Sequence, residues 1–177
     1  MSDLAKQLAG FDFLTEQSKI ELWLCAKDLK PVSAFPAEDN DNFLQWLDKI
    51  GLFFEKAKET NLYIASKNKL WIQELLPILF SNTKEDIEKK CELYGYPKET
   101  ALAVYRNFAK DKDGLPVGVG VRKGNSLGIT WWPYVRYVVR QGYEYEDSLI
   151  AKKWSMVIKR DLPEIGKRFE NQLSRIN

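Results

Sequence analysis

Two hydrophobic periods run through one chain, and together they restrict it to a mixed helix and strand fold. Behind Asn40 and Asp41, either of which is a good N-cap, Phe43, Leu47, Ile50, Phe54 and Ala57 recur at helical spacing. Val117, Val119 and Val121 instead alternate with Gly118 and Gly120. A polar Lys-Gly-Asn-Ser turn then leads into Leu127 to Trp132, which predicts a β-hairpin over residues 116 to 132. No repeat and no Pro/Gly/Ser-rich linker separates self-sufficient halves. The 177 residues are therefore expected to form a single compact α+β domain, 1–177, with about seven helices around a small, mainly antiparallel sheet. The one candidate internal boundary is the loop 111–114, Asp111-Lys-Asp-Gly114.

The other elements follow from local signals. Ile20 to Lys27 alternates so that Ile20, Leu22, Leu24 and Ala26 would line one strand face, with a helix from Thr15 as the competing reading. Leu62 to Ser66 reads as a short strand, and Leu70 to Phe80 as a helix that Pro77 kinks or shortens. Thr83 and Asp86 stand at capping-box spacing and open a helix that Gly95 closes, and Pro97 starts another that reaches Phe108. Pro133 to Arg140, Glu146 to Arg160 and Leu162 to Arg175 complete the helices, the last opened by Asp161 and Glu164. The pair over residues 83–108 resembles a helix-turn-helix, because Cys91 lies four positions before the turn glycine Gly95. Its outer face, Glu99, Ala103, Arg106 and Lys110, has few groups suited to reading base edges, which favours an ordinary helical hairpin.

Histidine is absent, which removes every His-based triad, general base and imidazole metal site. Two cysteines, Cys25 and Cys91, are too few for thiolate zinc or iron–sulfur ligation and too far apart in sequence for a Cys-x-x-Cys pair. No cofactor and no transition metal is expected, and a reducing, cytoplasmic setting fits the thiols best. The first ten residues lack the features of a secretory or transit segment, and the run Leu70 to Phe80 is far short of the roughly 20 residues a membrane span needs, so no membrane association is expected.

Charge is segregated. Residues 115 to 177 hold eleven Lys/Arg against six Asp/Glu, whereas residues 1 to 60 hold seven against eleven. The leading expectation is a non-enzymatic binding protein whose basic, aromatic C-terminal third engages nucleic acid or another acidic partner. Its candidate contacts are Arg122, Lys123, Trp132, Arg136, Arg140, Lys152, Lys153, Lys159 and Arg160. On the helix Glu146 to Arg160, Ile150, Trp154, Val157 and Ile158 form an apolar stripe that leaves those last four cations on the solvated side.

Two other functions compete. One is a histidine-free enzyme using carboxylates, with or without Mg2+, on a phosphorylated or small polar substrate. Glu144, Glu146 and Asp147 lie close together as candidate acids, Glu38, Asp39 and Asp41 could hold a hard cation, and Cys25 as nucleophile is the alternative to carboxylates. The other is a protein-interaction module marked by exposed aromatics. The glycines 118, 120, 124 and 128 match neither the Walker nor the dinucleotide pattern. They suit a hairpin in which Gly118 faces Trp131 and Val117 faces Trp132.

Overall fold

Every α-helix in the first half of the chain begins on a side-chain cap, and three of them end on the same backbone device. In a computed structural model that describes residues 2–97, 127–132, 135–140 and 144–173, the first helices are α1 (Asp3–Ala9), α2 (Glu16–Ala26), α3 (Asp41–Lys49), α4 (Lys69–Leu75) and α5 (Lys84–Leu93). The side-chain oxygens of Ser2, Thr15, Asn40, Asn68 and Thr83 accept from backbone N–H groups in the first turns of α1 to α5 respectively, satisfying donors that have no partner within the helix. Leu29 N–H reaches Leu24 O at 2.9 Å, Leu52 N–H reaches Leu47 O at 3.0 Å, and Tyr96 N–H reaches Cys91 O at 2.8 Å. In each case the preceding residue, Asp28, Gly51 or Gly95, has positive φ, which completes a Schellman ending.

These endings correct the predicted elements. Ile20 to Ala26 is helix, not strand: Ile20, Leu22, Trp23, Leu24 and Cys25 are all buried, as are Glu16, Ser18 and Lys19. A helix enclosed on nearly every side has no polar face to mark its period, so alternation by chance looks like a strand. The helix behind Asn40 stops at Lys49 because Gly51 turns the chain, and Phe54 belongs to strand β2 (Phe53–Lys56). Pro77 shortens α4 as expected, passing the chain into a 3-10 turn, Leu76–Ile78.

Strands β1 (Val32–Pro36), β2 and β3 (Leu62–Ser66) form an antiparallel sheet in the order β1-β3-β2. Its centre, β3, is covered on both faces. Tyr63 and Ala65 join Phe35 in a large core with Leu8, Leu22, Leu24, Phe43, Trp46, Trp154 and Ile158. Ile64 and Val32 face the other way, onto Ile72, Leu75 and Leu93 of α4 and α5. Strict alternation along β3 thus places the sheet between two helical layers.

The later elements are β4 (Leu127–Trp132), β5 (Val135–Arg140), α6 (Glu144–Asp161) and α7 (Pro163–Leu173). The seven helices and the small antiparallel sheet make the described residues an α+β arrangement. They are not the seven helices expected. Residues 135–140, read as helix, are a strand paired antiparallel to β4, with Trp131 opposite Arg136 and Trp132 opposite Val135. Val135, Tyr137, Val138 and Val139 are β-branched or aromatic and favour a pleated surface over a helix. The other arm of the expected hairpin, from 116 to 126, lies outside the described residues, as do the loop 111–114 and the helix from Pro97 to Phe108. Asp161 closes α6 rather than capping α7.

Three tryptophans tie these layers together through their indole N–H groups. Trp23 of α2 donates to the Asp161 carboxylate at 3.0 Å, Trp46 of α3 to Leu4 O at 3.0 Å, and Trp154 of α6 to Leu29 O at 2.9 Å. Each bond lets a large apolar ring enter the core without burying an unsatisfied donor. Among the described residues no helix is long and apolar enough to cross a membrane.

Candidate functional site

Helix α6 has one face in the core and one in solvent. Ser148, Ala151, Trp154 and Ile158 are buried, and Ile150 and Val157 pack partly against them, so the predicted apolar stripe is the inner face. The opposite side carries large apolar groups where water would be expected. Tyr145 is 68 % exposed, Leu149 49 % and Met156 73 %. At 100° per residue, Tyr145, Leu149, Lys152, Lys153, Met156, Lys159 and Arg160 fall within one arc of about 120°. Tyr145, Met156 and Leu149 form its central ridge. Lys152 and Lys159 lie along one flank, Lys153 and Arg160 along the other.

The four cations are not equally available. The Lys152 ammonium sits over the Tyr145 ring, 4.6 Å from its centroid. Arg160 donates to both Asp161 oxygens, at 2.6 and 3.1 Å. Those bonds hold the Asp161 carboxyl below the usual carboxylate range against the opposing effect of burial, with help from the Trp23 N–H and the charge of Lys27. Lys153 and Lys159 are exposed.

Of the other expected contacts, Arg136 and Arg140 stand on β5 opposite Trp131 and Leu127, and Trp132 ends β4. The pair β4–β5 lies beside α6, so these residues belong to the same region of the fold as the four cations. Arg122 and Lys123 lie outside the described residues. Of the helix-turn-helix pattern, the structure describes α5, which packs Ile87 and Leu93 inward, and the Gly95 turn.

Of the residues considered for catalysis, Cys25 and Asp39 are engaged otherwise. Burial pushes the Cys25 thiol up to about 12, which keeps it protonated and unreactive at neutral pH. Asp39 is bound by Lys56 at 2.7 Å and by the Tyr63 hydroxyl. Glu144, Glu146 and Asp147 occupy the first turn of α6. Among the described residues no group of three or more acids or thiols is placed to hold a metal ion.

Sequence reasoning missed a cavity of about 280 Å³ beside α6. Four segments meet there: the loop between α2 and β1, the start of α4, the Gly95 turn and the middle of α6. Leu29, Pro31, Ile150 and Trp154 supply apolar walls, and Lys67, Trp71 and Lys153 stand at the rim. Lys67 is paired with Asp28 at 2.7 Å. Lys30, though buried, also lines the cavity and lies 2.8 Å from Glu21, whose carboxylate also accepts from the Ser33 hydroxyl. Burial opposes the Lys30 charge, but the Glu21 carboxylate outweighs it and raises the Lys30 pKa, while Lys30 in turn lowers that of Glu21 against the same burial. The only signal for the cavity was Gly95, a residue with no side chain at a convergence of loops, and nothing in one sequence says which loops converge. No protein-family model, curated protein or solved structure matches this chain.

Proposed function

We propose that the protein is a non-enzymatic binding module that docks an acidic protein partner on the outer face of α6. The observation that carries this reading is the exposed ridge of Tyr145, Leu149 and Met156 with cations along both flanks. Apolar side chains gathered in one patch mark interaction surfaces, and Met adapts well to a partner's shape. Flanking cations select an acidic partner and speed its encounter.

Nucleic acid is the weaker occupant of the same face. Phosphate binding draws on freely available cations, whereas Arg160 is held by Asp161 and Lys152 lies over Tyr145. Leu149 and Met156 gain nothing from a phosphate backbone. An enzyme working through Cys25 would need a lowered thiol pKa, and burial raises it instead. The two free thiols suit a reducing, cytoplasmic setting.

The test compares an acidic amphipathic helical peptide with single-stranded DNA, both fluorescently labelled, at about 20 mM salt, where screening is weak. The peptide is expected to bind the wild type and to lose at least tenfold in affinity to Met156→Glu and to the triple reversal Lys152→Glu, Lys153→Glu, Arg160→Glu. DNA binding that is stronger than peptide binding and indifferent to Met156→Glu would assign the face to nucleic acid. Failure of both probes to bind ends the basic-surface reading.

A further inference from the structure

The cavity beside Trp71 has its own chemistry, and we infer that it is a binding site for a single-ring organic monoanion, held with the ring against the Trp71 and Trp154 side and the carboxylate at Lys153. Size is the first restriction. At about 280 Å³ the cavity lies just below the range of drug-sized ligand sites, which suits one ring and a short acid arm rather than a nucleotide or cofactor. The walls are the second. Leu29, Pro31, Ile150 and Trp154 offer apolar surface, and the Trp154 indole N–H is given to Leu29 O, so it presents no unsatisfied donor to the cavity.

Charge decides the sign. Among the described residues three lysines, Lys30, Lys67 and Lys153, and one carboxylate, Asp28, line the cavity. Asp28 and Lys67 neutralise each other at 2.7 Å, and Lys30 is matched by Glu21 at 2.8 Å. The surplus among the described lining residues is one positive charge, on Lys153, which is exposed. A phosphate monoester carries close to two negative charges and would leave the apolar walls unfilled, whereas a ring bearing one carboxylate matches both charge and surface. The wall itself is held in shape by an uncommon backbone, since Asp28 adopts φ 55° in the loop that carries Leu29 and Pro31.

The same chemistry has two sources, a free aromatic acid or the C-terminal aromatic residue of a peptide. Phenylacetate, phenylacetamide, a short peptide ending in Phe with a free carboxylate and the same peptide amidated are titrated by ligand-observed NMR, up to about 10 mM, the weakest affinity of interest. Phenylacetate is expected to bind at least tenfold tighter than phenylacetamide. Lys153→Gln, a surface change that leaves folding intact, should erase that preference, and Trp71→Ala should weaken both ligands. A free-carboxylate peptide that outcompetes phenylacetate tenfold names a chain terminus as the source, and equal affinity names the small acid. Equal binding of phenylacetate and phenylacetamide, or no binding of phenylacetate and of the free-acid peptide, overturns the inference. The site is separable from the ridge on α6: Met156→Glu should leave phenylacetate binding unchanged, and Trp71→Ala should leave acidic-helix binding unchanged.

Discussion

Gly95 lies so close to Pro31 that a methyl group on its Cα would stand 2.9 Å from the proline Cδ. The two residues hold the end of α5 against the loop between α2 and β1, and Gly95 does so at φ +80°. Gly95→Ala therefore carries two penalties, a left-handed backbone that costs an L-residue about 1–2 kcal/mol and an overlap with a ring that cannot rotate away. Urea denaturation should show a loss of about 2–3 kcal/mol. Adding Pro31→Ala should restore the overlap part and leave the backbone part. Equal stability of Gly95→Ala and wild type would mean that α5 does not end on this contact.

The pair of half-buried Glu21 and buried Lys30 predicts a pH dependence of known sign. Removing one partner of a buried pair is costly, so Lys30→Met should destabilise by about 3 kcal/mol near neutral pH. In the variant Glu21 keeps its burial and loses its counter-charge, so its folded pKa rises above the unfolded value. Stability linked to such a group is fully present below the unfolded pKa of about 4.3 and declines as pH rises through the folded value. Lys30→Met should thus approach wild-type stability as pH is lowered towards 4, and Glu21→Gln added to it should flatten the profile. A deficit that is constant from pH 4 to pH 8 would show that Glu21 is solvated well enough to need no partner.

Glu59 offers a gain. It sits at φ 59° in the turn between β2 and β3, where Thr60 N–H bonds to Ala57 O at 3.3 Å. Positive φ at the third residue of the turn, Glu59, and not at Lys58 is the type II pattern, which favours glycine there. Glu59→Gly should raise stability by about 0.5–1 kcal/mol, read as a higher thermal midpoint. A lower midpoint would mean that the Glu59 side chain contributes more than its backbone costs.

What the sequence made legible was local. Asn40, Thr83 and Gly95 were readable because a cap acts on its own turn, and Leu62 to Ser66 because turn residues bound it on both sides. Periodicity failed where the environment was not two-sided. Helix α2 is buried nearly all round, and the apolar positions of α3 continue past Gly51 into β2, so a helical repeat persists across two different elements. The basic, aromatic character of α6 was visible, but its functional ridge was not. Tyr145, Leu149 and Met156 share an outer face only once Trp154 and Ile158 define the inner one. Nor does charge counting show that Arg160 is spoken for by Asp161, or that Lys153 borders a cavity whose walls beyond α6 come from residues more than fifty positions away.

The last prediction separates structure from binding at Asp161. Its carboxylate receives the Trp23 indole N–H at 3.0 Å and two Arg160 bonds, and its side chain is 15 % exposed. Asp161→Ala leaves the Trp23 donor unsatisfied in the core and should cost about 1–2 kcal/mol at pH 7. Because the folded pKa of Asp161 is depressed, its contribution is present above the unfolded value of about 3.9 and vanishes as pH falls through the folded one. The gap between variant and wild type should therefore close in acid. The same substitution frees Arg160 on the outer face of α6, so single-stranded DNA at about 20 mM salt should bind the variant more tightly than wild type, with a steeper salt slope. Reduced stability with unchanged DNA binding would mean that Arg160 is not a phosphate-facing group even when released, and the flank it forms would then serve protein partners alone.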